Sequence, residues 1–130
     1  MNFFTIENSI EPWNRTYYQN KVKFFYPKNL NELLKFKKFL ISSNLKYSVK
    51  TGNCSYDSKS MPINEKSFII SLKNFNKVIK IDRFKNTVLV QSGIKISDLV
   101  KILKEKKYKI FCVPGGEKIS LGGAISANAI

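Results

Sequence analysis

The chain of 130 residues contains no histidine, two cysteines, one tryptophan and, among 23 cationic side chains, only two arginines, Arg15 and Arg83. Each scarcity excludes something. Without histidine there is no imidazole to act as general base, the side chain most often used for proton transfer near neutral pH. Cys54 and Cys112 are too far apart for a C-x-x-C pair, and no histidine is available to complete a metal site with them. Two reduced thiols in a reducing compartment are the expectation. No apolar run approaches the roughly 18–20 residues that a membrane-spanning helix needs. Phe3 and Phe4 are not preceded by a basic segment or followed by a long apolar core, so no signal peptide is expected and a cytoplasmic location is.

The charge that is present is one-sided, with a formal net value of +14. Such a balance raises nucleic acid or an anionic membrane as partners. The lysines are scattered along the chain, however, and the arginine forks that suit bases and phosphates are nearly lacking. No specific nucleic-acid partner is therefore expected. Tyr17, Tyr18, Phe24 and Phe25 beside Lys21 and Lys23 could be offered as a stacking platform, but strand-borne core and rim aromatics are the simpler expectation. With 43% hydrophobic residues the chain is able to bury a core.

Periodicity gives the elements. Residues 1–20 read as an irregular N-terminal arm and 21–130 as one domain. A strand is expected over 21–26. Asn29 and Asn31 supply helix-start chemistry after Pro27, and Leu30, Leu33, Leu34, Phe36, Leu40 and Ile41 fall at helical spacing as far as Ser42–Asn44. Strands follow at 46–50 and 68–72. Then 78–82 and 87–91 flank a four-residue turn and read as a hairpin. Gly93 breaks the second of these strands. Ser97 is the expected N-cap of a helix running to about Lys107, and Tyr108 to Val113 reads as a last strand. Strands clustered between two helices indicate an α+β fold with mixed sheets and flanking helices. The G-x-G-x-x-G fingerprint is absent.

Two loops carry the chemistry. Four of the six glycines lie in the final seventeen residues, as Gly115-Gly116 and Gly122-Gly123, with Ser120 between the pairs. Glycine removes the Cβ and permits positive φ, so amide N–H groups are able to converge on an anion. The small residues after Gly123 are able to open a helix whose N-terminus favours negative charge. The other loop is Lys50-Thr51-Gly52-Asn53-Cys54-Ser55-Tyr56-Asp57. Thr51 and Ser55 offer hydroxyl donors, and Asn53 tolerates left-handed φ. Each loop is expected to follow a strand, so both could meet at one sheet edge and hold a pyrophosphate from two sides. The alternative for each is an ordinary turn. From Gly122 onward no glycine, asparagine cap or proline closes the new element, which reads as the start of something longer.

Taken in order, the 51–56 loop, the Phe68–Leu72 strand, the VLVQSG segment (Val88 to Gly93), the Ile96-Ser97-Asp98-Leu99 helix start and the loop from Pro114 to Asn128 resemble a known family. They look like the N-terminal part of the FAD-binding (PCMH-type) domain of FAD-linked oxidases, the p-cresol methylhydroxylase and vanillyl-alcohol oxidase type. Trp13-Asn14-Arg15 and Leu121-Gly122-Gly123-Ala124-Ile125-Ser126 look most like the decaprenylphosphoryl-ribose 2-oxidase and aldonolactone oxidase branch. The resemblance covers about 11–130 and implies an FAD-dependent oxidoreductase, acting on a CH–OH group of a sugar, sugar lactone or sugar-lipid. It implies that the PCMH-type domain is truncated at its C-terminal end, that the substrate is taken through a domain lying beyond residue 130, and that the 130 residues are inactive alone. A non-catalytic nucleotide-binding module is the alternative. Lys50, Thr51, Gly52, Asn53, Cys54, Ser55 and Tyr56 would form the first phosphate loop. Pro114, Gly115 and Gly116 would open the second, Ser120, Leu121, Gly122 and Gly123 would touch the pyrophosphate and isoalloxazine region, and Ala127 and Asn128 would continue along the flavin. Asn53 and Cys54 stand where the family often has a second glycine, and Ile130 stands near its usual histidine, so FAD is expected to be non-covalent. No residue of the chain is assigned as catalytic base or metal ligand.

Overall fold

The computed structural model describes residues 4–10, 12, 14–15, 19–56, 61–62, 64–116 and 118–129. Two strands come first, β1 (Thr5–Ile10) and β2 (Gln19–Phe25), then α1 (Leu30–Ser42), β3 (Tyr47–Lys50) and β4 (Phe68–Ser71). The hairpin β5 (Val78–Asp82) and β6 (Thr87–Val90) follows, and then helices α2 (Ile96–Glu105) and α3 (Leu121–Ser126). The four-stranded sheet has the order β1-β2-β4-β3, and β5-β6 is a separate two-stranded sheet. β4 is parallel to both β2 and β3, whereas β1 is antiparallel to β2. The fold is α+β, as the clustering of strands indicated. β1 lies inside the segment read as an irregular arm; its pairing with β2 makes it an edge strand of the main sheet.

β4 is an unbroken apolar run, Phe-Ile-Ile, because it is the inner parallel strand with cover on both faces. Phe68 and Ile70 turn towards α1 with Phe25, Phe36 and Leu40. Ile69 turns the other way, onto Ile10, Val22, Phe24 and Met61. Phe25 stacks on Phe36 with ring centroids 3.9 Å apart. Phe24 and Phe25 are thus core residues on opposite faces and form no stacking platform; Tyr17 and Tyr18 lie outside the described residues. Asn29 caps α1 by accepting from the Glu32 N–H at 2.9 Å, which satisfies one donor left over by the helix start, and Glu32 reaches back to the N–H of Lys28, the residue before the cap, at 2.8 Å.

A second core joins α2 to the hairpin through Ile94, Leu99 and Leu103, with Val78, Ile81, Val88 and Val90 against them. α2 begins at Ile96, and its N-cap is Lys95, with no side-chain cap. Ser97 is therefore inside the helix and does not cap it. The reason is tertiary: the Ile96 N–H donates to the Ile119 carbonyl at 2.9 Å, so a distant backbone group does what a capping hydroxyl would have done.

The expected strand at 108–113 is not formed. The alternation it was read from is real, since Tyr108 and Ile110 are half-buried and Lys109 and Phe111 are exposed. What is missing is a partner strand among the described residues. The Tyr108 N–H is instead spent on the Leu103 carbonyl and the Lys107 N–H on the Lys104 carbonyl. That is the paired bond pattern of a Schellman ending, with Lys107 at φ 62°. The same pattern ends α1 at Asn44 (φ 51°) and α3 at Asn128 (φ 50°). Asparagine tolerates this left-handed conformation through its short polar side chain; lysine has no such help. Lys107→Gly is expected to raise unfolding free energy by about 0.5–1 kcal/mol, the left-handed penalty less the extra chain entropy of glycine. Urea denaturation of the two proteins would measure it, and an unchanged midpoint would show the residue to be unstrained.

Candidate functional site

The first loop leaves the carboxyl end of β3. The β3–β4 ladder continues to its last rung there, with the Leu72 N–H donating to the Lys50 carbonyl at 2.8 Å. Beyond a parallel sheet's carboxyl ends the backbone runs out of neighbours, which is why α/β proteins hold ligands at that edge. In the loop, Asn53 has φ 55°, the left-handed turn expected of it. The backbone N–H groups of Gly52, Asn53 and Ser55 donate to no acceptor among the described residues.

The second loop does not arrive from a strand; an irregular stretch delivers it. It is pinned to the segment after β6. The Leu121 N–H donates to the Ile94 carbonyl at 2.9 Å and the Gly122 N–H to the Ser92 carbonyl at 2.8 Å. A Cβ on Gly122 would lie 2.9 Å from Ser92 Cβ, so glycine is required there by close approach. Ser120 is 3% exposed, and its Oγ accepts from the Gly123 N–H at 3.2 Å, capping α3. The helix starts two residues before Gly123, and Asn128 closes it, an asparagine stop that was not expected there.

The two loops meet. Thr51 Oγ1 and Ser120 Oγ share a hydrogen bond across 69 positions of chain. A Cβ on Gly52 would come within 3.1 Å of the Lys118 carbonyl oxygen and 3.7 Å of the Ser120 nitrogen. The Cys54 thiol lies 3.3 Å from the Gly52 carbonyl and 3.6 Å from that of Lys118. Thr51, Gly52, Cys54, Ser120 and Gly123 therefore form one cluster. Asn53, Ser55 and the exposed Tyr56 continue the first loop around it. Leu121 and Gly122 turn their N–H groups inward to Ile94 and Ser92. Ala127 and Asn128 lie at the far end of α3, and among the described residues Pro114 and Gly115 make no hydrogen bond to the first loop. Lys50 is 7% exposed, with its Nζ 4.0 Å from Met61 Sδ, so its charge is held inside the protein and not at the loop's rim. Asp57, Glu117 and Ile130 lie outside the described residues.

Ser92, Ile94 and Lys118, not expected at the site from the sequence, all act through backbone carbonyls. Side-chain identity carries no signal of that role; the one available hint was Gly122, whose missing Cβ leaves room for Ser92.

A family model described as an FAD binding domain matches residues 23–130. The chain belongs to this FAD-binding family. It is 25% identical over 116 residues to a putative D-arabinono-1,4-lactone oxidase of Neurospora crassa, covering 89% of this chain and 20% of that protein. It is 25% identical over 126 residues to L-gulonolactone oxidase 3 of Arabidopsis thaliana, covering 96% of this chain and 22% of the other. The chain thus spans about a fifth of the length of the curated relatives it matches. Among solved structures, cholesterol oxidase from Brevibacterium sterolicum superposes with a TM-score of 0.85 at 16% identity, over 99% of this chain and 25% of that one. An alkyldihydroxyacetonephosphate synthase gives 0.70 at 23% identity, over 82% and 21%. The fold is that of the FAD-binding domain of FAD-linked oxidases, of which this chain corresponds to one part.

Proposed function

We propose that the chain holds FAD non-covalently, by its pyrophosphate, between the 51–56 loop and the Ser120–Gly123 turn. It serves as the FAD-binding portion of an oxidoreductase that oxidises a CH–OH group of a sugar, sugar lactone or sugar-lipid. The observation that carries this reading is the meeting of two glycine-bearing loops at the carboxyl end of β3, joined by the Thr51 and Ser120 hydroxyls. The first loop fits an anion, and the Ser120–Gly123 turn closes the other side of the opening. The first has unspent N–H groups, and Gly52 leaves room that a side chain would fill. The carboxyl end of β3 directs this opening outwards. A flavin, when bound, supplies the acceptor for the hydride taken from substrate. This chain's part is to fix and orient the cofactor. Non-covalent attachment is supported by the absence of histidine, and the substrate class by the two lactone oxidases among the relatives.

Titrating the chain with FAD, FMN and riboflavin, and following flavin fluorescence, tests the reading. FAD is expected to bind best, because only it carries the pyrophosphate. Ser120→Ala is expected to weaken FAD about tenfold, the loss of one charge-assisted hydrogen bond and its partner's alignment, while leaving riboflavin unchanged. No FAD binding, or equal binding of all three, would overturn it.

A further inference from the structure

We propose that the β5–β6 hairpin is a docking surface for an anionic lipid bilayer. Phe84 stands at its tip and is fully exposed, at 100% of its reference area. The tip is nevertheless fixed. Asp82 Oδ1 accepts from the Phe84 N–H at 3.1 Å and the Lys85 N–H at 3.0 Å, and Asn86 takes φ 50° to complete the turn. A large apolar ring held out into water on a built turn is a feature that water alone does not reward.

The surroundings of Phe84 define the partner. Arg83 and Lys85 flank it, and Lys77 and Lys80 lie along β5 and its approach. Asp82 is the one acidic residue of 77–91, and its carboxylate is already engaged by the turn and by Lys80 Nζ at 3.8 Å. On the face turned away from α2, Leu89 stands opposite Lys80 in the ladder and is 61% exposed. Ile79, at the irregularity between Val78 and Lys80, is 56% exposed. Exposed apolar groups interleaved with cations match an anionic interface, where rings and aliphatic chains enter the acyl boundary and lysines meet the headgroups. The net charge of +14 acts in the same direction. A nucleic acid would be met by planar groups and arginine forks; Ile79 and Leu89 have no π-face, and the hairpin has one arginine. Among the described residues no helix is long and apolar enough to cross a membrane, so the contact is peripheral. The tip lies at the opposite end of the hairpin from Ser92, which contacts Gly122, so this surface is independent of the flavin loops.

Sedimentation of the full chain with vesicles decides the matter. One set is phosphatidylcholine alone, the other phosphatidylcholine mixed with an equal amount of phosphatidylserine. Binding is expected only to the second set, and it should weaken as salt is raised. Phe84→Ser is expected to reduce it about tenfold, and the pair Arg83→Ser with Lys85→Ser by a similar factor. Both changes are at solvent-facing positions, and unchanged thermal melting and FAD binding would show the fold intact. No binding to the anionic vesicles, equal binding to both sets, or full binding by both variants would overturn the proposal. So would binding of a polyuridylate, lost in the same variants, with the vesicles left unbound.

Discussion

Gly93→Ala is expected to be the most destabilising single-methyl change in this chain, at about 3 kcal/mol. A Cβ at position 93 would sit 2.1 Å from the Leu72 carbonyl oxygen and 2.7 Å from that of Phe75. Both neighbours are backbone atoms. A side chain could rotate aside, but these carbonyls are held: the Gly93 N–H donates to Phe75 at 2.7 Å and the Phe75 N–H donates to Leu72 at 2.9 Å. Relief therefore requires the segment after β4 to separate from the segment after β6, which is where the main sheet meets the hairpin. Thermal unfolding should fall by ~10 °C for a chain of this size. Gly115→Ala is the control, since a Cβ there meets nothing within 4 Å. A loss of less than about 1 kcal/mol at Gly93, on the ordinary scale of surface changes, would mean that the close approach is absent in solution.

What could be read from the sequence divides along physical lines. α1 was legible to its caps because its signals are local: Asn29 ahead of an apolar stripe, and Ser42 to Asn44 at its end. The hairpin was legible because alternation and a four-residue turn suffice to define it. The strand at 108–113 failed because alternation reports two environments, and a ladder also needs a neighbour. β1 was missed because what makes 5–10 a strand is its pairing with β2. Ser97 was misjudged as a cap because the Ile119 carbonyl, more than twenty positions away, takes the first donor of α2. The same split runs through the site. Thr51, Gly52, Cys54, Ser120 and Gly123 were legible as two candidate loops, but their meeting, and the carbonyls of Ser92, Ile94 and Lys118 that align them, depend on tertiary contacts made through the backbone.

Gly52→Asp is expected to weaken FAD binding by about a hundredfold or more, the cost of placing one carboxylate against a pyrophosphate in a partly enclosed loop. Gly52 faces both the unspent N–H groups of its own loop and the Lys118–Ser120 backbone opposite, so a side chain there enters the space between the loops. Its φ is not positive, so a side chain brings no intrinsic backbone strain. The nearest atom to an added Cβ, the Lys118 oxygen at 3.1 Å, needs to give by only a few tenths of an ångström. The fold should therefore survive, and an unchanged melting temperature would show it. Gly52→Asn separates the two causes, because it matches the aspartate in size and lacks its charge. If charge dominates, asparagine should cost far less than aspartate, and added salt should recover part of the aspartate loss. Equal losses in both variants would assign the effect to the space Gly52 leaves open. Full affinity in both, measured by the same fluorescence titration, would place the pyrophosphate somewhere other than between these loops.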